Sequence, residues 1–283
     1  MFERHDNVFI GCESEFEQSK IVLFGAPFDG TTSYRPGARF ASSAIRTESY
    51  GIETYSPYLD KDLTDISVYD AGDIELPFGN TQRALDIIED FADKIISEDK
   101  MSLMLGGEHL VTLSVIRAIT KKYPHMHIIH FDAHADLRND YMGEKLSHAS
   151  VMRRCWEILG DNKIHQFGIR SGEREEFCWA VNHVNMCKFN FDTLDDTIKQ
   201  LADAPVYLSI DLDVLDPSEF PATGTPEAGG VSFNSLIDAL KRISSLNIIG
   251  ADMVELSPPY DISGTSTALA CKLLRELLLN IYK

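Results

Sequence analysis

The stretch Ile128-Ile129-His130-Phe131-Asp132-Ala133-His134-Ala135-Asp136 decides how the chain reads. Its apolar half, Ile128 to Phe131, is the end of a buried strand. It runs directly into Asp132, His134 and Asp136. Side chains two apart on an extended chain point to the same side. The three polar groups therefore converge beyond the end of a sheet. Two carboxylates and an imidazole suit a divalent cation better than a hydrophobic core. A polar strand end on a solvated loop is the plain alternative, and the rest of the chain decides between the two.

Working outward, apolar runs at 20–25, 67–70, 101–105, 127–131, 164–169, 184–189, 205–210 and 247–254 read as strands. Segments with helical spacing alternate with them: 40–50, 81–98, 111–122, 147–159, 173–182, 194–202, 232–245 and 265–282. Alternation of this kind implies parallel βαβ units with right-handed crossovers. No linker, repeat or low-complexity tract interrupts it. The expected fold is a single α/β domain over 1–283 with a mainly parallel eight-stranded sheet. A closed eight-stranded barrel is the topological rival. In both, function belongs at the C-terminal strand ends.

Bulk composition narrows the class. The chain has 283 residues, 44% hydrophobic and 25% charged, which is the balance of a globular protein. Its N-terminal stretch lacks an apolar signal core, and no apolar run is long enough to span a bilayer. A cytoplasmic protein without membrane partners is expected. The formal net charge of −18 disfavours nucleic acid and is compatible with a cationic small molecule. The five cysteines, Cys12, Cys155, Cys178, Cys187 and Cys271, are scattered, and read as thiols rather than a disulfide framework or zinc knuckle.

Two further strand ends carry polar groups. Leu105-Gly106-Gly107-Glu108-His109 places His109 after a glycine turn. Ser209-Ile210-Asp211-Leu212-Asp213 repeats the two-residue spacing of carboxylates. Asp216, before Pro217, reads as a turn former. The pooled set is His109, Asp132, His134, Asp136, Asp211 and Asp213. Four carboxylates gathered without cations would repel. Two divalent ions neutralise them, and the oxygen and imidazole donors favour Mn²⁺ over a thiolate-type zinc site. Water shared between two such ions is a nucleophile near neutral pH. His130 lies earlier in the strand and reads as a buried, hydrogen-bonded histidine. His5, His165 and His183 have no supporting constellation, and the acids Glu173, Glu175 and Glu176 read as a solvated helix face.

GGEH, FDAHAD and SIDLDVLDP, in this order, resemble the manganese ureohydrolase family of arginase and agmatinase. Ser147-His148-Ala149-Ser150, Ala222-Thr223-Gly224-Thr225-Pro226-Glu227 and Val254-Glu255-Leu256-Ser257-Pro258 extend the likeness. The resemblance implies a three-layer αβα fold, two Mn²⁺ ions and hydrolysis of a guanidino group. It implies one ion on His109, Asp132, Asp136 and Asp211, and the other on Asp132, His134, Asp211 and Asp213. It gives Asp136 the orienting of the nucleophile, Glu255 the grip on the guanidinium, and His148 proton transfer or substrate binding at the mouth. Thr225 is expected to hydrogen-bond near Glu255. A homotrimer or homohexamer is implied as well. Two departures are Glu108, where the family often has Asp, and Ala135, where it often has Thr.

The loop Asp136-Leu137-Arg138-Asn139-Asp140-Tyr141-Met142-Gly143-Glu144-Lys145-Leu146-Ser147-His148 is more similar to bacterial agmatinases than to arginases. The expected reaction is agmatine to putrescine and urea. Asp140, Glu144 or Glu227 would attract the distal ammonium. The alternatives are hydrolysis of aminopropylagmatine, guanidinobutyrate, arginine or formiminoglutamate, and an inactive metal-binding relative. A two-metal phosphoesterase would need cations around the metals, which the motifs lack apart from Arg138.

Overall fold

Alternating apolar side chains build a sheet with a helix layer on each face. In the computed structural model, which describes residues 7–283, the first strand is Ile21–Ala26 (β1). Its Ile21 and Leu23 enter one core, and Val22 and Phe24 enter the other. There follow Ala41–Ser49 (α1), the short Tyr55–Ser56 (β2) and Lys61–Asp62 (β3), Val68–Asp73 (β4), Thr81–Ser97 (α2), Met101–Gly106 (β5) and Thr112–Thr120 (α3). Next come His127–Phe131 (β6), Val151–Leu159 (α4), Ile164–Ile169 (β7), Arg174–His183 (α5), Asn185–Lys188 (β8) and Leu194–Gln200 (α6). Pro205–Asp211 (β9), Phe233–Arg242 (α7), Asn247–Val254 (β10) and Thr265–Ile281 (α8) complete the chain.

The sheet has eight strands in the order β4-β1-β5-β10-β9-β6-β7-β8, and all neighbours pair in parallel. It ends in two edges, β4 and β8, so it is an open sheet and not the rival barrel. α2 packs on α3 and α3 on α4 over one face. α1 and α7 pack on α8 over the other. Leu273, Leu274, Leu277 and Leu278 of α8 are fully buried, and each stabilises by about 1.5–3 kcal/mol relative to exposure.

Local signals start the helices. Asn80 accepts from the Arg83 backbone N–H (3.0 Å) at α2, and Ser232 from that of Ser235 (3.2 Å) at α7. Glu173 and Glu176 form a reciprocal capping box at α5. Glu176 is thereby buried, contrary to the reading of the three acids as a solvated face. It also accepts from the Leu137 backbone N–H (2.8 Å).

The small antiparallel β2–β3 pair was not apparent from periodicity. Contacts with the closing helix hold it. The Ser56 hydroxyl donates to Glu276 (2.5 Å), and Arg275 donates to the Glu53 carbonyl (2.8 Å). Among the described residues, no helix is long and apolar enough to cross a membrane. His5 lies outside the described residues.

Candidate active site

The order of the sheet brings the sequence motifs together. β5, β10, β9 and β6 are adjacent and central. Their C-terminal ends deliver His109, Glu255, the pair Asp211 and Asp213, and the Asp132–Asp136 stretch. Gly107 makes the first turn possible. A Cβ at this position would lie 1.8 Å from the Phe28 carbonyl oxygen, so the chain after β1 passes directly over it. Glu108 N–H donates to that carbonyl (2.7 Å), and Glu255 N–H donates to the Gly107 carbonyl (2.9 Å). Asp136 (φ 54°) and Glu255 (φ 66°) adopt left-handed backbone, which is uncommon away from glycine and concentrates at functional sites.

The carboxylates are set by their own backbones. Asp132 Oδ1 accepts from His134 N–H (2.5 Å), Asp211 Oδ1 from Asp213 N–H (2.8 Å), and Asp213 Oδ1 from Ala133 N–H (3.2 Å). Each thus has one oxygen fixed and one directed at the cluster. His109 Nδ1 lies 3.1 Å from Asp132 Oδ2 and 3.2 Å from Asp136 Oδ2 and Asp211 Oδ2. His134 Nδ1 lies 3.0 Å from Asp213 Oδ2 and 3.6 Å from Asp132 Oδ1. Two donor groups result, and Asp132 belongs to both.

These residues fit a pair of divalent cations on three grounds. His109 Nδ1 and Asp213 Oδ2 are buried without a hydrogen-bond partner. Donor atoms about 3 Å apart match the edge of an octahedron with bonds of about 2.0–2.1 Å. Charge demands cations too. Burial, then Asp213 and Asp132, drive the Asp211 carboxyl well above its usual range. Burial alone would lower the His109 and His134 pKa values. The surrounding carboxylates override it and raise both well above the ordinary value. The site thus recruits protons where metal charge would serve.

A buried network orients the cluster. His109 Nε2 meets Ser209 Oγ (2.9 Å), which donates to Asp252 (2.7 Å). Tyr207 OH (2.7 Å) and Thr112 Oγ1 (2.8 Å) donate to the same carboxylate. His130 is fully buried near His109 and Asp132, but both its ring nitrogens are engaged: Nε2 with Asp132 (2.8 Å) and Nδ1 with Gln166 (3.0 Å). It has no nitrogen left for an ion and acts by holding Asp132. Asp216 forms a turn, accepting from Ser218, Gly229 and Gly230 N–H groups. His165 does have a partner: its Nε2 lies 3.1 Å from His127 Nδ1, at the sheet end away from the cluster.

A cavity of about 590 Å³ opens over the cluster, lined by His109, His134, Asp136, Asp211, Asp213 and Glu255 among others. Glu255 is buried. Its Oε1 accepts from His109 N–H (2.7 Å), and burial, then the nearby Glu108 and Asp213, raise its pKa well above the usual value. Thr225 lines the same cavity, but among the described residues the hydrogen bond to Glu255 comes from His109.

His148 stands at the cavity wall with Nε2 3.2 Å from Ser33 Oγ. Burial lowers its pKa, against the opposing pull of Asp136. Its backbone N–H donates to Thr31 Oγ1 (3.1 Å), and that hydroxyl donates to the buried Glu108 (2.5 Å). Burial pushes the Glu108 carboxyl up to about 7. Glu108 is therefore no mere variant of the family's Asp: it fixes the 31–32 loop beside His148. No motif in the sequence marks that loop. The one hint was the run of hydroxyls, Thr31, Thr32 and Ser33. Asp252 was likewise overlooked, although an acid inside an apolar strand signals a buried polar partner.

An open parallel α/β sheet, carrying a paired His and Asp cluster and a buried cavity carboxylate, defines a binuclear metal hydrolase with a site for a cationic group. The chain belongs to the arginase family, whose model matches residues 19–280. With it, the chain joins the ureohydrolases, which cleave guanidino C–N bonds. Among relatives, it is 49% identical to the agmatinase of Bacillus cereus over 98% of this chain and 97% of that one. The Bacillus subtilis agmatinase is also 49% identical, over 98% and 97%. A Clostridium difficile crystal structure superposes with a TM-score of 0.93 at 51% identity, over 95% of this chain and 99% of that one.

Proposed function

We propose that the chain is an agmatinase, hydrolysing agmatine to putrescine and urea, with two Mn²⁺ ions held by His109, Asp132, His134, Asp136, Asp211 and Asp213. Glu255 is the observation that carries this reading. It is a buried carboxylate beside the His and Asp cluster, and such a group accepts paired N–H bonds from a planar guanidinium. The agmatinase relatives, matched over nearly their full lengths, support the substrate. The oxygen and imidazole donors, without a thiolate, support manganese.

When bound, the ions supply positive charge and lower the pKa of water. The chain's residues do the rest. Glu255 holds the guanidinium by its N–H edge and leaves the face of its carbon open to the nucleophile. Asp136, with one oxygen at the cluster and its backbone in the left-handed region, holds the proton of the attacking water and passes it to the departing amine. His148 relays protons at the cavity wall, and Thr225 shapes that wall.

We further propose that residues 1–283 form one ureohydrolase unit, acting in the cytoplasm as a homotrimer or homohexamer. The family resemblance supports the assembly, which light scattering after size exclusion tests. The reaction is tested with a panel of agmatine, arginine, guanidinobutyrate, aminopropylagmatine and formiminoglutamate. Agmatine should give the largest kcat/KM and equal amounts of urea and putrescine. A larger kcat/KM for any other compound would overturn the assignment.

A further inference from the structure

The agmatine reading leaves the distal ammonium without a partner. We propose that Glu227 receives it, and thereby selects a short guanidinoamine over a guanidino acid. This rests on that reading of the substrate.

The loop 222–230 runs across the cavity. It starts at Ala222, whose carbonyl accepts from Ser257 N–H (2.7 Å). At Gly224 it passes Glu255: a Cβ there would lie 3.6 Å from Glu255 Oε2. Three residues later Glu227 lines the same cavity. Three residues of extended chain reach at most about 10 Å. One loop thus brackets a substrate whose two cationic ends are separated by a few methylenes, with Glu255 at one end and Glu227 at the other.

Glu227 is held in place from behind. Arg170 donates to its carbonyl through Nε (3.2 Å) and Nη2 (2.8 Å). The same Nη2 donates to the carbonyl of Asp213 (2.7 Å). One guanidinium therefore ties the peptide of Glu227 to that of a cluster residue. The Glu227 carboxylate accepts from Ser171 Oγ (3.3 Å), and Ser171 is bridged to His134.

Charge selects Glu227 from the acids at the mouth. Glu173 is paired with Arg138 (2.9 Å). Glu176 is buried, accepting two backbone N–H groups, with Arg138 3.7 Å away. Among the described residues, Glu227 is in no ion pair. Asp140 and Glu144, the other sequence candidates, do not line the cavity, and Asp140 is used to accept from Gly143 N–H (3.1 Å). Among the described residues, Glu227 is the cavity-lining acid, apart from Glu255 and the cluster itself, that is in no ion pair.

The test compares Glu227→Gln with wild type on agmatine, on butylguanidine, which has no distal charge, and on guanidinobutyrate. The ratio of kcat/KM for agmatine over butylguanidine should fall by about 10- to 100-fold, mainly through KM, as expected for loss of one charged hydrogen bond. Glu227→Lys should move the preference towards guanidinobutyrate. Butylguanidine turnover and bound metal report whether each variant is folded, and Glu227→Asp supplies a second variant that keeps the charge and should retain part of the ratio. Wild-type turnover of agmatine with an unchanged ratio in Glu227→Gln overturns the role of Glu227 alone. A wild-type enzyme inert towards agmatine overturns the substrate reading itself.

Discussion

Asp132 joins the two halves of the cluster: one oxygen faces His109 and His130, the other takes the His134 backbone. Asp132→Asn removes a charge shared by both cation positions. Turnover should fall by more than about 10³-fold, with bound metal lost, while circular dichroism stays native. Full activity of this variant with added Mn²⁺ would contradict the ligand set. Glu255→Gln should behave differently. It should retain metal and lose about 100-fold or more in kcat/KM, read by steady-state urea release beside metal analysis. That Asp132, His134, Asp136, Asp211 and Asp213 gather at one place was legible in sequence, because two-residue spacing after an apolar run directs side chains to one side. Glu108, Asp252 and Arg170 were not, since each acts on residues far away in the chain: Thr31, Tyr207 and Glu227.

Most elements were readable from local pattern, and their ends were less so. β4 runs on to Asp73, past the expected stop at Asp70, because Gly25 pairs with Asp73 across an irregular register. The turn after β5 depends on Gly107, whose missing side chain admits the Phe28 carbonyl. Gly107→Ala should cost about 2 kcal/mol or more and displace His109, measured as a lower urea midpoint together with weaker metal binding.

The starts of β6 and β7 hold a second titratable feature. His127 and His165 lie 3.1 Å apart, with Lys163 Nζ 3.1 Å from His127 Nε2. Burial, then the neighbouring cations, lower both pKa values to about 4. The unfolded imidazoles bind protons near pH 6.5. Between these values the unfolded state holds more protons, so stability falls as pH drops from about 6.5 towards about 4. The urea midpoint should drop between pH 7 and pH 5 in wild type. His165→Gln should show a smaller drop, and an equal drop would contradict the assignment.

At the scale of the molecule, alternation of strands and helices predicted parallel βαβ units but neither the choice between open sheet and barrel nor the strand order. The placing of β10 and β9 between β5 and β6 depends on pairings across the whole chain, which no local pattern encodes. That order creates the site, because it sets the glycine turn of His109 beside the carboxylates of β9 and β6. The net charge of −18 has a bulk role as well: it favours approach of a cationic substrate, so kcat/KM should decline with added salt.

The whole fold is also linked to the metal. Four buried carboxylates repel without cations, so chelation should lower the melting temperature. Ligand excess of about 100-fold over Kd stabilises by about 2.7 kcal/mol per site. The most direct measurement is urea release from agmatine while Mn²⁺ is titrated into metal-stripped protein, with bound metal counted in parallel. Activity should be absent without metal and should reach its plateau at two ions per chain. Full urea production by metal-free protein, or a plateau at one ion, would contradict the binuclear site.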